Sequence, residues 1–185
     1  MDGKSVDHVT IRPARSDDVD AIARLWEALV EYHRELDSDL PPASHQGSIR
    51  YARRLVDQLD SPTTRVLVAV HDSQIVGYVL GVVVDLAPEI FAQEPSGFLA
   101  DIYVDASQRR KGVGRALVEA LVDWFRSNGL RYFEWHAAVQ NPEGISFWRA
   151  LGGREVMLRM RADFVPPDRN NVPHAGNSQR IHSKR

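Results

Sequence analysis

Gly97-Phe-Leu-Ala-Asp-Ile-Tyr-Val-Asp-Ala-Ser-Gln-Arg-Arg-Lys-Gly-Val-Gly-Arg115 runs from an apolar stretch into a basic turn that carries two glycines. Residues 97–104 are short and rich in aromatic and branched side chains, which reads as a strand. From Gly112 to Ser127, Val113, Leu117, Leu121, Trp124 and Phe125 recur at helical spacing, and Leu130 to Val139 reads as a second strand. The stretch is therefore a β-α-β unit. Its basic turn lies at the end of a strand and the start of a helix, where open sheets bind their ligands.

Glycine in the first turn of a helix costs about 1 kcal/mol relative to alanine, so Gly112 and Gly114 call for a packing or functional reason. A helix start offers unpaired amides and about half a positive charge, and the absence of Cβ atoms lets a pyrophosphate reach those donors. Arg109, Arg110, Lys111 and Arg115 add charge around the same point. A solvated basic loop is the alternative reading of these residues. No Gly-Lys-Ser/Thr follows, and the third glycine of a dinucleotide fingerprint is missing, so neither nucleotide motif fits.

Working outward, His8 to Arg12 alternates as a half-buried strand that Pro13 ends. Ser16 stands as an N-cap with Asp17 and Asp18 in the first turn, and Val19, Ile22, Ala23, Trp26, Leu29 and Val30 carry a helix to about Leu36. Pro41 and Pro42 break the chain before a second amphipathic helix from about Gln46 to Leu59. Arg65–His71 and Gln74–Asp85 form a hairpin around Asp72-Ser73, and Leu86–Ser96 reads as a loop. Asn141 to Leu151 reads as a short helix closed by Gly152, and Arg154 to Ala162 as a last strand. Residues 1–7 and the polar tail 165–185 are expected to be flexible, leaving one domain over 8–164.

The bulk figures agree with that organisation. A chain of 185 residues buries a core without staples. With 43% hydrophobic and 26% charged residues and a net charge of −2, it has the profile of a globular domain with no polyanionic partner. The absence of cysteine excludes disulfides, a thiolate zinc site and a cysteine nucleophile. No apolar run approaches about 18 residues and no stretch at the start pairs a basic segment with an apolar one, so no membrane partner is expected. Near-neutral charge argues against nucleic acid, and the lack of cysteine fits a cytoplasmic protein without metal.

Two segments carry a family resemblance. Arg109-Arg-Lys-Gly-Val-Gly114 resembles the Arg/Gln-x-x-Gly-x-Gly/Ala signature of the GNAT superfamily of N-acetyltransferases, and Asp101-Ile-Tyr-Val-Asp105 before it is similar to that family's fourth strand. Asn141-Pro-Glu-Gly-Ile-Ser-Phe-Trp-Arg-Ala-Leu-Gly-Gly153 resembles the family's Asn-x-x-Ala-x-x-Phe-Tyr-x-x-x-Gly-Phe segment. The similarity covers about residues 8–162. It implies an α/β (α+β) fold: a mixed, mostly antiparallel sheet of six to seven strands, splayed between its fourth and fifth strands and flanked by about four helices. It also implies acetyl-CoA as cosubstrate. The pantetheine arm would pair with backbone of Ile102, Tyr103 and Val104, and the pyrophosphate would rest on Arg110, Lys111, Gly112, Val113, Gly114 and Arg115 beside Arg109. Asn141, Phe147 and Trp148 would line the cofactor, with Trp148 standing where relatives often have the tyrosine that protonates the departing thiolate.

Acetyl transfer needs a neutral amine, a polarised thioester and a proton for sulfur. A strand backbone N–H can supply the second. Asp101 and His136 are the candidate bases, with Glu134 a weaker one; a structural carboxylate and a hydrogen-bonded sheet histidine are the plainer readings. Indole is no acid, so Tyr103 or water takes the tyrosine's part, or the thiolate leaves unprotonated. Acceptor choice is expected from Trp26, Tyr32, His33, Glu35, Asp37, Asp39 and Leu86–Ser96. Acidic residues including Glu31 favour a cationic amine unless they are merely a solvated helix face. The competing reading is a non-catalytic acyl-CoA-binding or sensing module. An exposed strand at 154–162 would allow a homodimer.

Overall fold

A computed structural model describes residues 5–6, 9–85, 94–162 and 164. The expected tail at 165–185, residues 1–4 and most of the Leu86–Ser96 loop lie outside the described residues. The elements run β1 (Ser5–Val6), β2 (Val9–Pro13), α1 (Val19–Leu36), α2 (Gly47–Gln58), β3 (Thr64–His71), β4 (Gln74–Val84), β5 (Ser96–Val104), α3 (Val113–Ser127), β6 (Phe133–Trp135) and α4 (Pro142–Ala150). One sheet takes the six strands in chain order, counting the two-residue β1. Neighbours are antiparallel except β5 and β6. That parallel pair follows from the crossover helix α3 between them. The sheet is thus mixed and mostly antiparallel, as expected.

Each face of the sheet buries its own apolar set. Val9, Ile11, Leu67, Ala69, Val79 and Leu99 pack with Val113, Leu117, Leu121 and Phe125 of α3 and with Trp148 of α4. On the opposite face Val66, Val68, Tyr78 and Leu80 pack with Val19, Ile22 and Leu55 of α1 and α2. Alternation along β3 and β4 sorts these side chains onto their faces. Helix α3 approaches the strands closely: a Cβ at Gly97 would stand 2.7 Å from the Phe125 ring, and one at Gly81 would stand 2.5 Å from Leu121.

Three local expectations are corrected. Ser16 does not cap α1; residues 16–18 form a 3-10 turn in which Asp18 Oδ2 accepts from the Arg15 amide at 2.8 Å, and α-helix begins at Val19. Asp18 also takes both Arg12 guanidinium nitrogens, at 2.6 and 2.9 Å, so a strand–helix ion pair wins over the serine. The strand expected at 130–139 is paired only over Phe133–Trp135. No strand forms over 154–162, because a strand needs a ladder partner and none of the described residues pairs with it. The compact unit is Met1–Gly153; the chain from Arg154 is a separate segment, in which Val156, Met157, Leu158 and Met160 are exposed.

Candidate active site

Strand β5 is paired with β4 from Ser96 to Val104 but with β6 only from Gly97 to Leu99. Beyond Leu99, among the described residues, no strand pairs with its β6-facing edge, so on that side backbone donors and acceptors of Ala100 to Val104 have no strand neighbour. Where the two pairings part, the register shifts: Leu80 faces Asp101 and Gly81 faces Leu99, so Ala100 has no opposite residue. Such a bulge re-aims side chains and leaves a backbone group unpaired. Gly97 and Leu99 face α3, whereas Asp101 and Tyr103 lie with the α1–α2 set.

The turn after β5 is braced by Asp105, whose Oδ1 accepts from the Ser107 amide at 2.9 Å and from the Ser107 hydroxyl at 2.6 Å. These bonds hold its carboxyl below the usual carboxylate range. Arg110 (φ +60°) and Gly112 (φ +83°) both adopt the left-handed region on either side of Lys111. For Arg110 that conformation costs about 1–2 kcal/mol, and strain of this kind gathers at ligand sites. Ala116 N–H makes the first bond back to Gly112 C=O at 3.0 Å, leaving the amides of Val113, Gly114 and Arg115 without helical partners. The basic turn therefore runs into a helix start whose first amides have no helical partners, as the sequence led one to expect of its geometry. At Gly114 a Cβ would meet only Phe147 at 3.5 Å and Val104 at 3.8 Å, so packing tolerates a methyl there.

Helix α4 meets this region through Phe147. Asn141 is its N-cap, with Oδ1 accepting from Gly144 N–H at 2.9 Å and Pro142 following in the first turn. Trp148 is buried, 4.6 Å from the Trp135 ring, and belongs to the α3-side core. The indole that stands in the tyrosine's place is thus a core side chain.

Arg109 is held away from the α3 amides. Its Nε donates to Val104 C=O at 3.0 Å, and its guanidinium lies 4.7 Å from the Tyr32 ring centre and 5.2 Å from that of Tyr103. Cation–π contacts with the two rings hold it against α1.

Asp101 is an ionisable group whose proton affinity the fold shifts. The Tyr51 hydroxyl donates to its Oδ2 at 2.9 Å. Burial pushes the carboxyl above the ordinary aspartate range, and the Tyr51 bond and the charges of His33 and Arg54 pull it partly back. Burial pushes Tyr51 far up and His33 down. Tyr51 stacks on Trp26, ring centres 4.9 Å apart, and meets the fully buried Tyr78 edge-on at 6.5 Å. Among the described residues the Tyr78 hydroxyl has no hydrogen-bond partner.

The two expected bases are thus unlike. Asp101 sits in a built polar cluster, whereas His136 is exposed, edge-on to Phe98 at 5.3 Å, and Glu134 is exposed beside it. Of the acidic residues on and after α1, Glu31, Glu35 and Asp39 are exposed and Asp37 accepts from the Asp39 amide. Trp26 and His33 do reach the Asp101 cluster. Tyr51 escaped the sequence reading, although it stands four residues before buried Leu55, a spacing that places both on one face of α2. Among the described residues no group of three or more His, Cys, Asp or Glu could hold a metal, and no helix is long and apolar enough to cross a membrane.

Comparison with known proteins follows this geometry. The family model described as Acetyltransferase (GNAT) family matches residues 22–152. A mutant of the BH1408 protein from Bacillus halodurans is 24% identical, with a TM-score of 0.75 over 84% of this chain and 99% of that one. A predicted acetyltransferase with acetyl-CoA from Clostridium acetobutylicum is 13% identical, TM-score 0.69, over 84% and 96% of the two chains. An aminoglycoside acetyltransferase from an uncultured soil metagenomic sample, in complex with sisomicin, is 19% identical, TM-score 0.62, over 86% and 98%. At these identities the likeness is one of fold. No curated protein matches the chain.

Proposed function

The chain belongs to the GNAT acetyltransferase family, and from that premise we propose that it moves an acetyl group from acetyl-CoA to a primary amine by direct transfer in a ternary complex. The observation that carries this reading is the edge of β5 from Ala100 to Val104, unpaired among the described residues, bounded by the strained turn and α3 amides without helical partners and by partly buried Asp101. One substrate arm extends along the edge, its pyrophosphate on the α3 amides; the amine approaches from the α1–α2 side.

In the transfer, the amine nitrogen forms a bond to the thioester carbonyl carbon and the carbon–sulfur bond breaks. Asp101 is the acceptor for the proton the ammonium must lose, a role its raised affinity for protons suits. The backbone N–H freed at the Ala100 bulge polarises the carbonyl. The thiolate takes its proton from Tyr103 or from water, since Trp148 offers none. His136 serves as an outer proton carrier at most.

Thiol release from acetyl-CoA, read against polyamines, aminoglycosides, amino acids and N-terminal peptides, tests the reading after acetyl-CoA binding is measured by titration calorimetry. Amine-dependent release supports it. The second reading, an acyl-CoA-binding module without turnover, draws on the tryptophan in the acid's place; tight binding with no release for any amine favours it.

A further inference from the structure

Arg109 carries the same turn as the phosphate-facing amides, yet its side chain is fixed on the other side of β5. Ile102 and Val104 pack toward α3, while Tyr103, between them, packs toward α1 and α2. The guanidinium lies against Tyr103 and against Tyr32 of α1, with Nε anchored on Val104 C=O. Its two terminal nitrogens meet no hydrogen-bond acceptor among the described residues. Asp105 feels its charge, but that carboxylate is engaged by Ser107 and forms no ion pair with it. A planar fork anchored at Nε, lying beside two aromatic rings and with its terminal nitrogens unengaged among the described residues, is pre-organised for two parallel bonds to an oxyanion.

The position of the fork says which oxyanion. Tyr103 follows Asp101 by two residues on the same strand face, a separation of about 6.6 Å. Tyr32 adjoins His33, whose charge acts on Asp101. The fork therefore opens beside the proton-accepting carboxylate, on the acceptor side, while the α3 amides lie on the other. We propose that Arg109 binds a carboxylate of the acceptor, so that the amine taken by this site is a zwitterion, an amino acid or close analogue. Its ammonium lies at Asp101 and its carboxylate at Arg109. This inference rests on the acetyltransferase reading above.

The test pairs glycine, β-alanine, γ-aminobutyrate and lysine each with its carboxamide. Thermal shift of the protein–CoA complex measures binding, and thiol release from acetyl-CoA measures turnover. Losing a charged pair of this kind corresponds to about 10- to 100-fold in affinity. At least one acid should therefore bind that much more tightly than its amide. Arg109→Lys, which keeps the charge but loses the fork, should erase most of the preference while acetyl-CoA affinity stays within about twofold. Equal or weaker binding of every acid than of its amide overturns the proposal, and needs no variant. So does an Arg109→Lys protein that loses acetyl-CoA affinity and keeps the acceptor preference, which would assign the fork to the cofactor's phosphates. Acid-selective binding without any thiol release would uphold the carboxylate site and count against the acetyltransferase reading instead.

Discussion

The Tyr51 hydroxyl, carried by α2, donates a 2.9 Å hydrogen bond to Asp101 Oδ2 on β5, joining two elements fifty residues apart in sequence. The bond satisfies a carboxylate that burial would otherwise leave costly in its charged form.

Activity should therefore follow the ionisation of Asp101. Its proton affinity in the fold is raised, so kcat/KM rises with pH along an acid limb placed above the ordinary carboxylate range. Tyr51→Phe removes a bond that favours the charged form, and the limb should move further up in pH. A limb that stays where it was would remove Tyr51 from this role. Asp101→Asn should lower kcat by about 100-fold or more.

The same group has a stability signature of opposite sense. Because Asp101 binds its proton more tightly folded than unfolded, its contribution is full below the unfolded value and declines as pH rises toward the folded one. Asp101→Asn should thus leave Tm at pH 8 unchanged or higher. A large drop in Tm at that pH would show the charged carboxylate to be structural.

Asp18 behaves in the reverse way. Hydrogen bonds from Arg12 lower its proton affinity, so the stabilisation is present above the unfolded value and lost as pH falls through the folded one. Asp18→Asn should cost about 1–2 kcal/mol at pH 7 and flatten the acid side of the Tm profile. The Arg12 side chain is 26% exposed, which moderates the loss.

The glycines of the turn separate in their demands. Gly112→Ala forces a side chain into φ +83° and should cost about 1–2 kcal/mol. Gly114→Ala meets Phe147 at ordinary contact distance and should raise stability by up to about 1 kcal/mol through helix propensity. Equal Tm shifts for the two would contradict the backbone assignment.

Asn141 offers a division of roles by atom. Asn141→Ala removes the α4 cap and should cost about 1 kcal/mol. Asn141→Asp keeps the accepting oxygen and should preserve Tm. A weakened acetyl-CoA affinity in that variant alone would locate a cofactor contact at Nδ2; unchanged affinity would leave Asn141 a cap.

Much of the fold was legible because its signals are local. The periodicity of α3, the valine-rich hairpin, and glycine with arginine at a helix start each state their structure within a few residues. What failed was what depends on a partner. Residues 154–162 have strand composition but no ladder, and Ser16 lost its place to Asp18 because Arg12 lies across from it. Register could not be read either, so the Ala100 bulge that sets Asp101 on the α1–α2 face appeared only with the pairing.

By itself, the sequence determined the order of elements, the basic glycine turn at a helix start and the family, since these are written in contiguous residues and their spacing. Tertiary structure alone decided that Tyr51 meets Asp101, that Trp148 is buried against Trp135, and that Arg109 lies against Tyr32 and Tyr103. The physical reason is that burial, proton affinity and cation–π contact depend on distance through space, and helix docking sets those distances between residues that no local pattern links.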